Sequence, residues 1–277
     1  MTGEKTVHLI VQGKGGVGKS LVASLLCQYL QGKKQPAAGQ GEANKGQRKE
    51  AAPCLLAMDT DPVNHTLAGY KALPVEELEI RDGQSISQRK FDALMERVLE
   101  AEVEDVVIDN GASTFLPLLS WMVENRIVEL WEESGLRVLF HTVITGGQAL
   151  MDTMEGLATL IEYFQAPVVV WLNPYFGEIR TQDSPDFTEF RLYKQHAARI
   201  PALISLPLKN AATFGEDLAE LFARHQTFAE AGVDQSLGIL PRQRLKIWWA
   251  ELVAAMDQAF AEAGLLGEGP AEEPGDE

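Results

Sequence analysis

The sequence lacks the long apolar runs of a membrane protein and the leader of a secreted one. No stretch approaches the ~18 consecutive apolar residues that indicate a transmembrane helix. Residues 1–6 are short of apolar side chains, and no basic segment followed by an apolar one marks a signal peptide. Both absences favour a cytoplasmic protein.

Cysteine is scarce, and the histidines are dispersed. The chain contains two cysteines, Cys27 and Cys54, and five histidines. Each cysteine lies in an apolar segment outside any C-x-x-C pair, so we expect reduced thiols rather than a disulfide. The histidines show neither H-E-x-x-H nor Cys/His spacing, so a structural zinc site is not expected.

Positive charge is also in short supply. The 24 Lys and Arg residues face 40 Asp and Glu, which gives a formal net charge of −16. Such a charge repels nucleic acid and anionic lipid at long range. A role on DNA or on a membrane therefore requires a local basic patch.

The apolar pattern alternates between short runs of strand length and longer segments with helical spacing. Strands are expected at 7–12, 54–58, 105–109, 136–144, 167–173 and 200–206, with a possible edge strand at 75–80. Helices are expected at 20–31, 87–101, 147–164 and near 184–198, with two short ones in 115–133 and more up to 263. This alternation predicts an α/β fold, a mostly parallel twisted sheet with helices on both faces, in one domain over residues 1–263.

Two segments have no hydrophobic period. Residues 32–53 are rich in Gly, Gln, Lys and Ala, with five basic and two acidic residues, and are expected to form a flexible insertion loop that is dispensable for catalysis. Residues 264–277 are rich in Gly, Pro and Glu and are expected to form an acidic disordered tail.

A glycine-rich motif carries the main chemical signal. Residues 13–20 read G-K-G-G-V-G-K-S, which fits G-x-x-x-x-G-K-[ST], after a predicted strand and before a predicted helix. Glycines let successive backbone N–H groups turn toward one anion, and the helix N-terminus adds positive potential. Lys19 is expected to reach the β- and γ-phosphates and Ser20 to ligate Mg²⁺. The motif predicts a P-loop NTPase that binds ATP and Mg²⁺; the alternative is a strand–helix turn without a ligand.

The same segment carries an additional lysine. The sequence Lys14-Gly15-Gly16-Val17-Gly18-Lys19-Ser20 resembles the deviant Walker A motif of ParA/MinD-type ATPases. The resemblance implies an ATP-sandwich homodimer in which Lys14 crosses the interface to the partner's nucleotide. A lysine beside the developing γ-phosphate charge would stabilise the transition state, so hydrolysis would depend on dimerisation. The alternative is a solvated lysine on a loop tip.

An aspartate pair follows the second predicted strand. Asp59, Asp61 and Pro62, with Asn64 two residues after the proline, resemble the switch I motif of the same family. The resemblance implies that Asp61 orients the attacking water and that Asp59 lies near the Mg²⁺ hydration shell. The alternative is an Asp-Pro turn that closes a strand.

A further aspartate ends the strand at 105–109. Asp109 is expected to hold Mg²⁺ through water, as in a Walker B motif, and the Gly111 N–H could approach the γ-phosphate. The family commonly has Asp-Thr-Pro where this chain has Asp109-Asn110-Gly111, so its switch II is expected to differ. The alternative is a strand-ending turn.

The resemblance also implies a base pocket. Family members often carry an asparagine that reads adenine at the end of the strand matching 167–173, and a proline loop over the base after the next strand. At the matching positions this chain has Asn173 and Pro207. Both follow strand ends, where ligands of open parallel sheets bind.

Two sequence segments make the family resemblance more specific. The sequences G-Y-K-A-L at 69–73 and T-G-G-Q-A-L at 145–150 are not general features of P-loop ATPases, and they resemble a member of the family that serves plasmid conjugal transfer. This implies an accessory ATPase of conjugation whose partner is a protein of the transfer machinery.

Two other functions remain open. A DNA-binding partition ATPase would need a basic surface, for which Arg242, Arg244 and Lys246 are the candidates, although a solvated helix face is the simpler interpretation. A membrane-cycling protein would need an apolar face, but the stripe in the last predicted helix is typical of core packing, and an acidic tail disfavours anionic membrane. Bulk DNA is therefore a disfavoured partner that is not excluded, and stable membrane binding is not expected.

Overall fold

The computed structural model describes residues 5–34, 54–83 and 85–265. Most of the predicted insertion loop at 32–53 and of the predicted tail at 264–277 lies outside the described residues. The assignment of one domain to residues 1–263 stays a prediction.

A seven-stranded sheet forms the centre of the fold, in the order β3-β2-β6-β1-β7-β8-β9. Every neighbouring pair in it is parallel. Its strands are β1 Lys5–Ile10, β2 Leu55–Asp59, β3 Val75–Glu77, β6 Asp105–Asp109, β7 Leu136–Thr145, β8 Val168–Asn173 and β9 Ala202–Ser205. The pair β4 Arg81–Asp82 and β5 Ser85–Ile86 forms a separate antiparallel hairpin.

Helices cover both faces of the sheet and bury two apolar clusters. One cluster includes residues from α2 Gln88–Glu100, α3 Phe115–Glu124, α4 Ile127–Glu133 and α5 Leu150–Tyr163. The other includes residues from α1 Lys19–Lys34, α7 Glu216–Ala223, α8 Phe228–Val233 and α9 Ile239–Glu262. A short helix, α6 Arg191–His196, precedes β9. The predicted α/β fold with a parallel sheet is confirmed.

The predicted edge strand at 75–80 ends earlier than expected. β3 stops at Glu77, after pairing with β2 over three residues. The Leu78 N–H still donates to Asp59 O at 2.9 Å, and the chain then turns into the hairpin. Ile80 is fully buried in the cluster under α2, which draws the chain away from the sheet edge.

The apolar stripe of the last helix packs inside the protein. Leu245, Trp248, Leu252, Met256 and Phe260 of α9 are buried in the cluster that α1 also joins. The stripe is therefore core, as its spacing predicted. Within the described segments, no helix combines the length and apolarity needed to cross a bilayer.

A chain of polar side chains crosses four neighbouring strands. Trp171 Nε1 donates to His141 Nδ1 at 3.0 Å, and an indole nitrogen can only donate, so His141 Nδ1 carries no proton. In neutral His141 the proton is then on Nε2, which lies 3.0 Å from His8 Nδ1. His8 Nε2 lies 3.4 Å from Asp105 Oδ1. Complete burial, with His8 beside it, holds the pKa of His141 well below its ordinary value.

The carboxyl ends of the parallel strands meet at one edge of the sheet. The glycine-rich loop follows β1, Asp59 ends β2, Asp109 ends β6 and Asn173 ends β8. Open parallel sheets bind ligands at this edge. The candidate functional residues are thus gathered by the topology itself.

Candidate functional site

The glycine-rich loop joins β1 directly to α1. Gly16 and Gly18 have φ angles of 74° and 105°, in the region that side-chain-bearing residues rarely adopt. The loop therefore depends on glycine at both positions. It ends at the first turn of α1, where helix N–H groups lack intrahelical partners.

Lys19 is folded back over this loop. Its ammonium donates to Lys14 O at 3.0 Å, and the residue is buried. Burial lowers the pKa of Lys19, while the carboxylates of Asp109 and Asp61 act in the opposite direction. A phosphate anion in the loop would give this buried cation a stronger partner than a carbonyl oxygen.

Asp109 is a buried carboxylate without its expected partners. Neither of its oxygens has a hydrogen bond of ordinary geometry within the described residues. Burial raises the pKa of Asp109 to about 7, and Asp59 and Asp61 act in the same direction, whereas nearby Ser20 and Lys19 lower it. A divalent cation would relieve this concentration of negative charge, and carboxylate and hydroxyl oxygens are ligands that suit Mg²⁺. The residues present therefore fit the predicted ion.

Asp59 shapes the loop after β2. Its Oδ1 accepts from the Asp61 N–H and its Oδ2 from the Ala68 N–H, both at 3.0 Å. Burial raises the pKa of Asp59, and these two N–H groups oppose the rise. The structure thus assigns Asp59 a loop-ordering contact beside its predicted place near Mg²⁺, which stays a prediction.

Asp61 lies in the same loop. It accepts from the Val63 N–H at 2.9 Å and from Asn64 Nδ2 at 3.2 Å. A side-chain carbon added to Gly111 would lie 2.8 Å from Asp61 Oδ1, closer than such atoms normally approach. The residue after Asn110 therefore has to be small in this conformation, which gives a physical reason for a glycine at this point of the motif.

The loops after β2 and β6 are hydrogen-bonded to each other. The N–H and the hydroxyl of Thr60 both donate to Asp109 O at 2.9 Å. Asn110 Oδ1 accepts from Thr114 Oγ1 at 2.7 Å and lies 3.3 Å from Thr60 Oγ1. The predicted switch I and switch II segments are thus joined in this structure.

Among the described residues, no group of three His, Cys, Asp or Glu side chains is placed to hold a metal ion.

A cleft of about 360 Å³ opens beside the glycine-rich loop. Its lining includes Gly16, Gly18, Asn173, Pro207 and Trp248. Asn173 Nδ2 donates to Val17 O at 3.0 Å, which ties the end of β8 to the loop. Trp248 Nε1 donates to Pro207 O at 2.8 Å, which ties the end of β9 to α9. The structure therefore brings the two predicted base-pocket residues to one cleft that adjoins the phosphate loop.

Lys14 faces another cavity. This cavity measures about 400 Å³ and is lined by Lys14, Ala112, Phe115 and Asp152, among others. Lys14 Nζ lies 2.7 Å from Asp152 Oδ2, with 43% and 52% of the two side chains exposed. Lys14 thus has a partner within its own chain, and both groups remain accessible to another molecule.

The chain is similar over most of its length to known proteins. No protein-family model matches it. Protein TraL of Escherichia coli is 43% identical over 255 residues, which cover 91% of this chain and 98% of that protein. The chain belongs to the TraL family. A second Escherichia coli TraL is 41% identical over 255 residues, with the same shares covered. The narrower resemblance predicted from 69–73 and 145–150 is confirmed.

Two solved structures similar to this TraL-family chain are plasmid partition proteins of Borrelia burgdorferi. One is 13% identical and covers 80% of this chain and 99% of its own, with a TM-score of 0.43. The other, bound to AMPPNP, is 11% identical and covers 89% of this chain and 98% of its own, with a TM-score of 0.41.

Several site residues of the TraL-family chain were not predicted from its sequence. Asp152 pairs with Lys14 from α5, and Thr60 joins the loops after β2 and β6. Trp248 was predicted to be core, and it is buried, yet its indole nitrogen also holds the loop at Pro207. Tyr175 is exposed at the cleft two residues after Asn173, and an aromatic so close to a strand end is the one signal that could have indicated a ligand contact.

Proposed function

We propose that the chain binds and hydrolyses Mg·ATP as a nucleotide-switched ATPase of the ParA/MinD type. The observation that carries this proposal is the meeting of the glycine-rich loop with Asp109, a buried carboxylate whose oxygens have Ser20 nearby but no hydrogen bond of ordinary geometry among the described residues. A folded protein rarely leaves such a group unsatisfied unless a ligand completes it.

Each site residue has a role in this proposal. The N–H groups of residues 15–18 and the Lys19 ammonium bind the phosphates, and Asn173 and Pro207 border the base. Ser20 and Asp109 hold the ion, Asp59 orders its surroundings, and Mg²⁺ supplies the charge that neutralises the phosphate oxygens. Asp61 accepts a hydrogen bond from the attacking water and so orients it. The Gly111 N–H is available to the γ-phosphate.

Dimerisation is proposed as the condition for hydrolysis. Lys14 would exchange Asp152 for the γ-phosphate bound by a second copy of the chain. An exposed ion pair contributes little stability, so this exchange costs little. The surroundings support a self-association face, since Leu116 lines the same cavity and Met151 adjoins Asp152, and both are large exposed apolar residues.

We further propose an accessory role in plasmid conjugal transfer, in which the ATP-bound dimer recognises a protein of the transfer machinery. Membership of the TraL family supports this proposal. The net charge of −16, doubled in a dimer, disfavours bulk DNA as the target.

A DNA-binding partition ATPase is the alternative function. In its favour, the side chains of Arg242 and Lys246 have no hydrogen bond or ion pair with any described residue. Against it, Arg244 is paired with Asp217, its Nη2 lying 3.1 Å from Oδ1. Arg242 and Lys246 alone supply few phosphate contacts, and each phosphate contact contributes to affinity.

Nucleotide binding is tested by titrating the protein with Mg·ATP in a calorimeter. Lys19→Ala should lose saturable binding while the circular dichroism spectrum stays unchanged. Lys194→Ala is the matched control, because Lys194 pairs with Glu189 on the surface and lies outside the site. Unchanged affinity in Lys19→Ala would exclude the proposed phosphate site.

The proposed role in conjugal transfer is tested in matings with a plasmid that carries the Lys19→Ala allele. A large drop in transfer frequency, with Lys194→Ala at the wild-type level, is expected. Normal transfer by an allele that cannot bind ATP would reject the conjugal role and leave the ATPase proposal standing. Saturable binding of duplex DNA at physiological salt, lost on removal of Arg242 and Lys246, would favour the partition alternative.

A further inference from the structure

A second groove lies between α8 and the first half of α9. It encloses about 300 Å³ and is lined by Phe228, Ile239, Leu245 and Trp249 together with Arg242 and Lys246. None of its lining residues is acidic. We call this feature the α8–α9 groove; it is separate from the cleft at the glycine-rich loop.

Exposed apolar residues line this groove or directly follow residues that line it: Ile239 is in the lining, Val233 follows Gly232, and Leu240 follows Ile239. Val233 at the end of α8 is 78% exposed, and Ile239 and Leu240 in the first turn of α9 are 77% and 67% exposed. Single exposed apolar residues are ordinary on a protein surface, whereas three within one short stretch beside an apolar cavity indicate an interaction site. Apolar residues grouped in this way are typical of the centre of a protein–protein interface.

The two cations of the groove are unpaired. Arg242 and Lys246 are four residues apart on α9 and so lie on one face of the helix. Neither side chain has a hydrogen bond or ion pair with any residue in the described segments. Between them in sequence, Arg244 is neutralised by Asp217. In a chain with 40 acidic and 24 basic residues, a free cation pair beside a cavity without carboxylates is a local reversal of charge.

We propose that the α8–α9 groove binds an acidic amphipathic segment of a partner protein. Carboxylates of the segment pair with Arg242 and Lys246, and a large apolar side chain next to them enters the cavity against Ile239 and Trp249. Charge complementarity selects an acidic occupant. Nucleic acid is the poorer match, because its backbone needs many cations and offers nothing to an apolar cavity.

The groove shares an aromatic wall with the cleft at the glycine-rich loop. Phe228 lines the groove and stacks on Trp248, with ring centroids 5.5 Å apart and planes 10° apart. Trp248 lines the cleft on its other side. Substitution of Phe228 would disturb both sites, so a test of the groove needs a position outside this wall.

Gly232 is such a position. It lines the groove, and a side-chain carbon built on it has no other atom within 4 Å. Gly232→Phe therefore fills the groove without a clash at its first atom. Gly32→Phe is the matched control, since the same construction at Gly32 on α1 also has nothing within 4 Å. Arg242→Glu with Lys246→Glu reverses the charge of the groove and leaves its apolar lining in place.

The experiment selects binders from a phage-displayed library of random peptides of about 16 residues, long enough for about four helical turns, on the immobilised full chain. The selected peptides are expected to combine two or more carboxylates with a large apolar residue. In fluorescence anisotropy, their affinity should fall at least about tenfold for Gly232→Phe and for the charge reversal, and stay unchanged for Gly32→Phe.

Three results would overturn the proposal. They are the absence of any enriched peptide, enrichment of peptides without acidic residues, and affinities that both groove variants leave intact. The same anisotropy assay with a labelled DNA duplex covers the remaining class of partner. DNA binding that Gly232→Phe abolishes would assign the groove to nucleic acid instead.

Discussion

Lys14 Nζ and Asp152 Oδ2 lie 2.7 Å apart, which joins the glycine-rich loop to the first turn of α5. Both side chains are about half exposed, so solvent screens the pair and its contribution to stability is small. In the proposed dimer the same lysine reaches the nucleotide of the second chain. Asp152 then competes with that nucleotide for Lys14 and holds the isolated chain in its resting state.

Asp152→Asn is expected to favour the dimer. Because each dimer exchanges two such pairs, and an exposed ion pair contributes about 0.2–1 kcal/mol, the protein concentration that gives half-maximal ATPase activity should fall by about two- to thirtyfold. The measurement is turnover per chain against protein concentration. Glu155→Gln is the matched control, since Glu155 lines the same cavity without pairing with Lys14. An equal or higher midpoint for Asp152→Asn would contradict the competition.

Trp248→Phe is expected to weaken the binding of ATP and the binding of ADP by the same factor. The change keeps an aromatic ring and removes the hydrogen bond to Pro207 O, which holds the loop beside the base cleft. A net hydrogen bond contributes about 0.5–1.5 kcal/mol, so a two- to tenfold rise in both dissociation constants is expected. Trp131→Phe is the control, because the buried Trp131 indole nitrogen has no hydrogen-bond partner among the described residues to lose. A loss of affinity for ATP alone, with the affinity for ADP unchanged, would show that Trp248 acts on phosphate binding instead.

The contribution of His141 to the stability of the fold is expected to fall below about pH 6.5, the ordinary pKa of histidine. The pKa of His141 is held well below that value in the folded protein, so His141 binds a proton more readily after unfolding. Its contribution is therefore complete above pH 6.5 and is lost progressively as the pH falls.

Urea unfolding of the wild type and of His141→Gln at pH 7.5 and 5.5 measures this contribution. Glutamine can still accept from Trp171 and donate to His8, but it does not titrate. The wild type should lose more stability than the variant between the two pH values. Equal losses would mean that His141 does not carry the pH dependence.

Local patterns in the sequence predicted the elements of the fold, and long-range contacts decided what the patterns missed. β6 matches the predicted strand 105–109 at both ends, because an apolar run that ends in an aspartate is a local signal. β3 ended early because the chain turns away from the sheet edge and buries Ile80 in the cluster under α2, a long-range contact that no local pattern encodes.

At the candidate site, too, local sequence patterns were predictable and long-range contacts were not. The glycine-rich loop was recognisable because its chemistry lies within consecutive residues. The ion pair of Lys14 with Asp152 and the hydrogen bond of Trp248 to Pro207 join residues far apart in the chain. The α8–α9 groove was not predicted for the same reason, since helical spacing indicates which face is apolar but not which part of that face stays open.

Mixing two inactive variants tests most directly whether Lys14 acts on the nucleotide of its partner. Lys14→Ala keeps its own Asp61 but cannot supply the lysine, whereas Asp61→Ala supplies the lysine but cannot orient water. The two are purified separately, combined in equal amounts without nucleotide, and assayed after addition of Mg·ATP. If Lys14 acts across the dimer, the mixture should recover about a quarter of wild-type turnover, since half of randomly paired dimers hold one complete site. If the mixture stays as inactive as each variant alone while sedimentation shows mixed dimers, Lys14 does not act across the interface and the dimer-dependent mechanism is wrong.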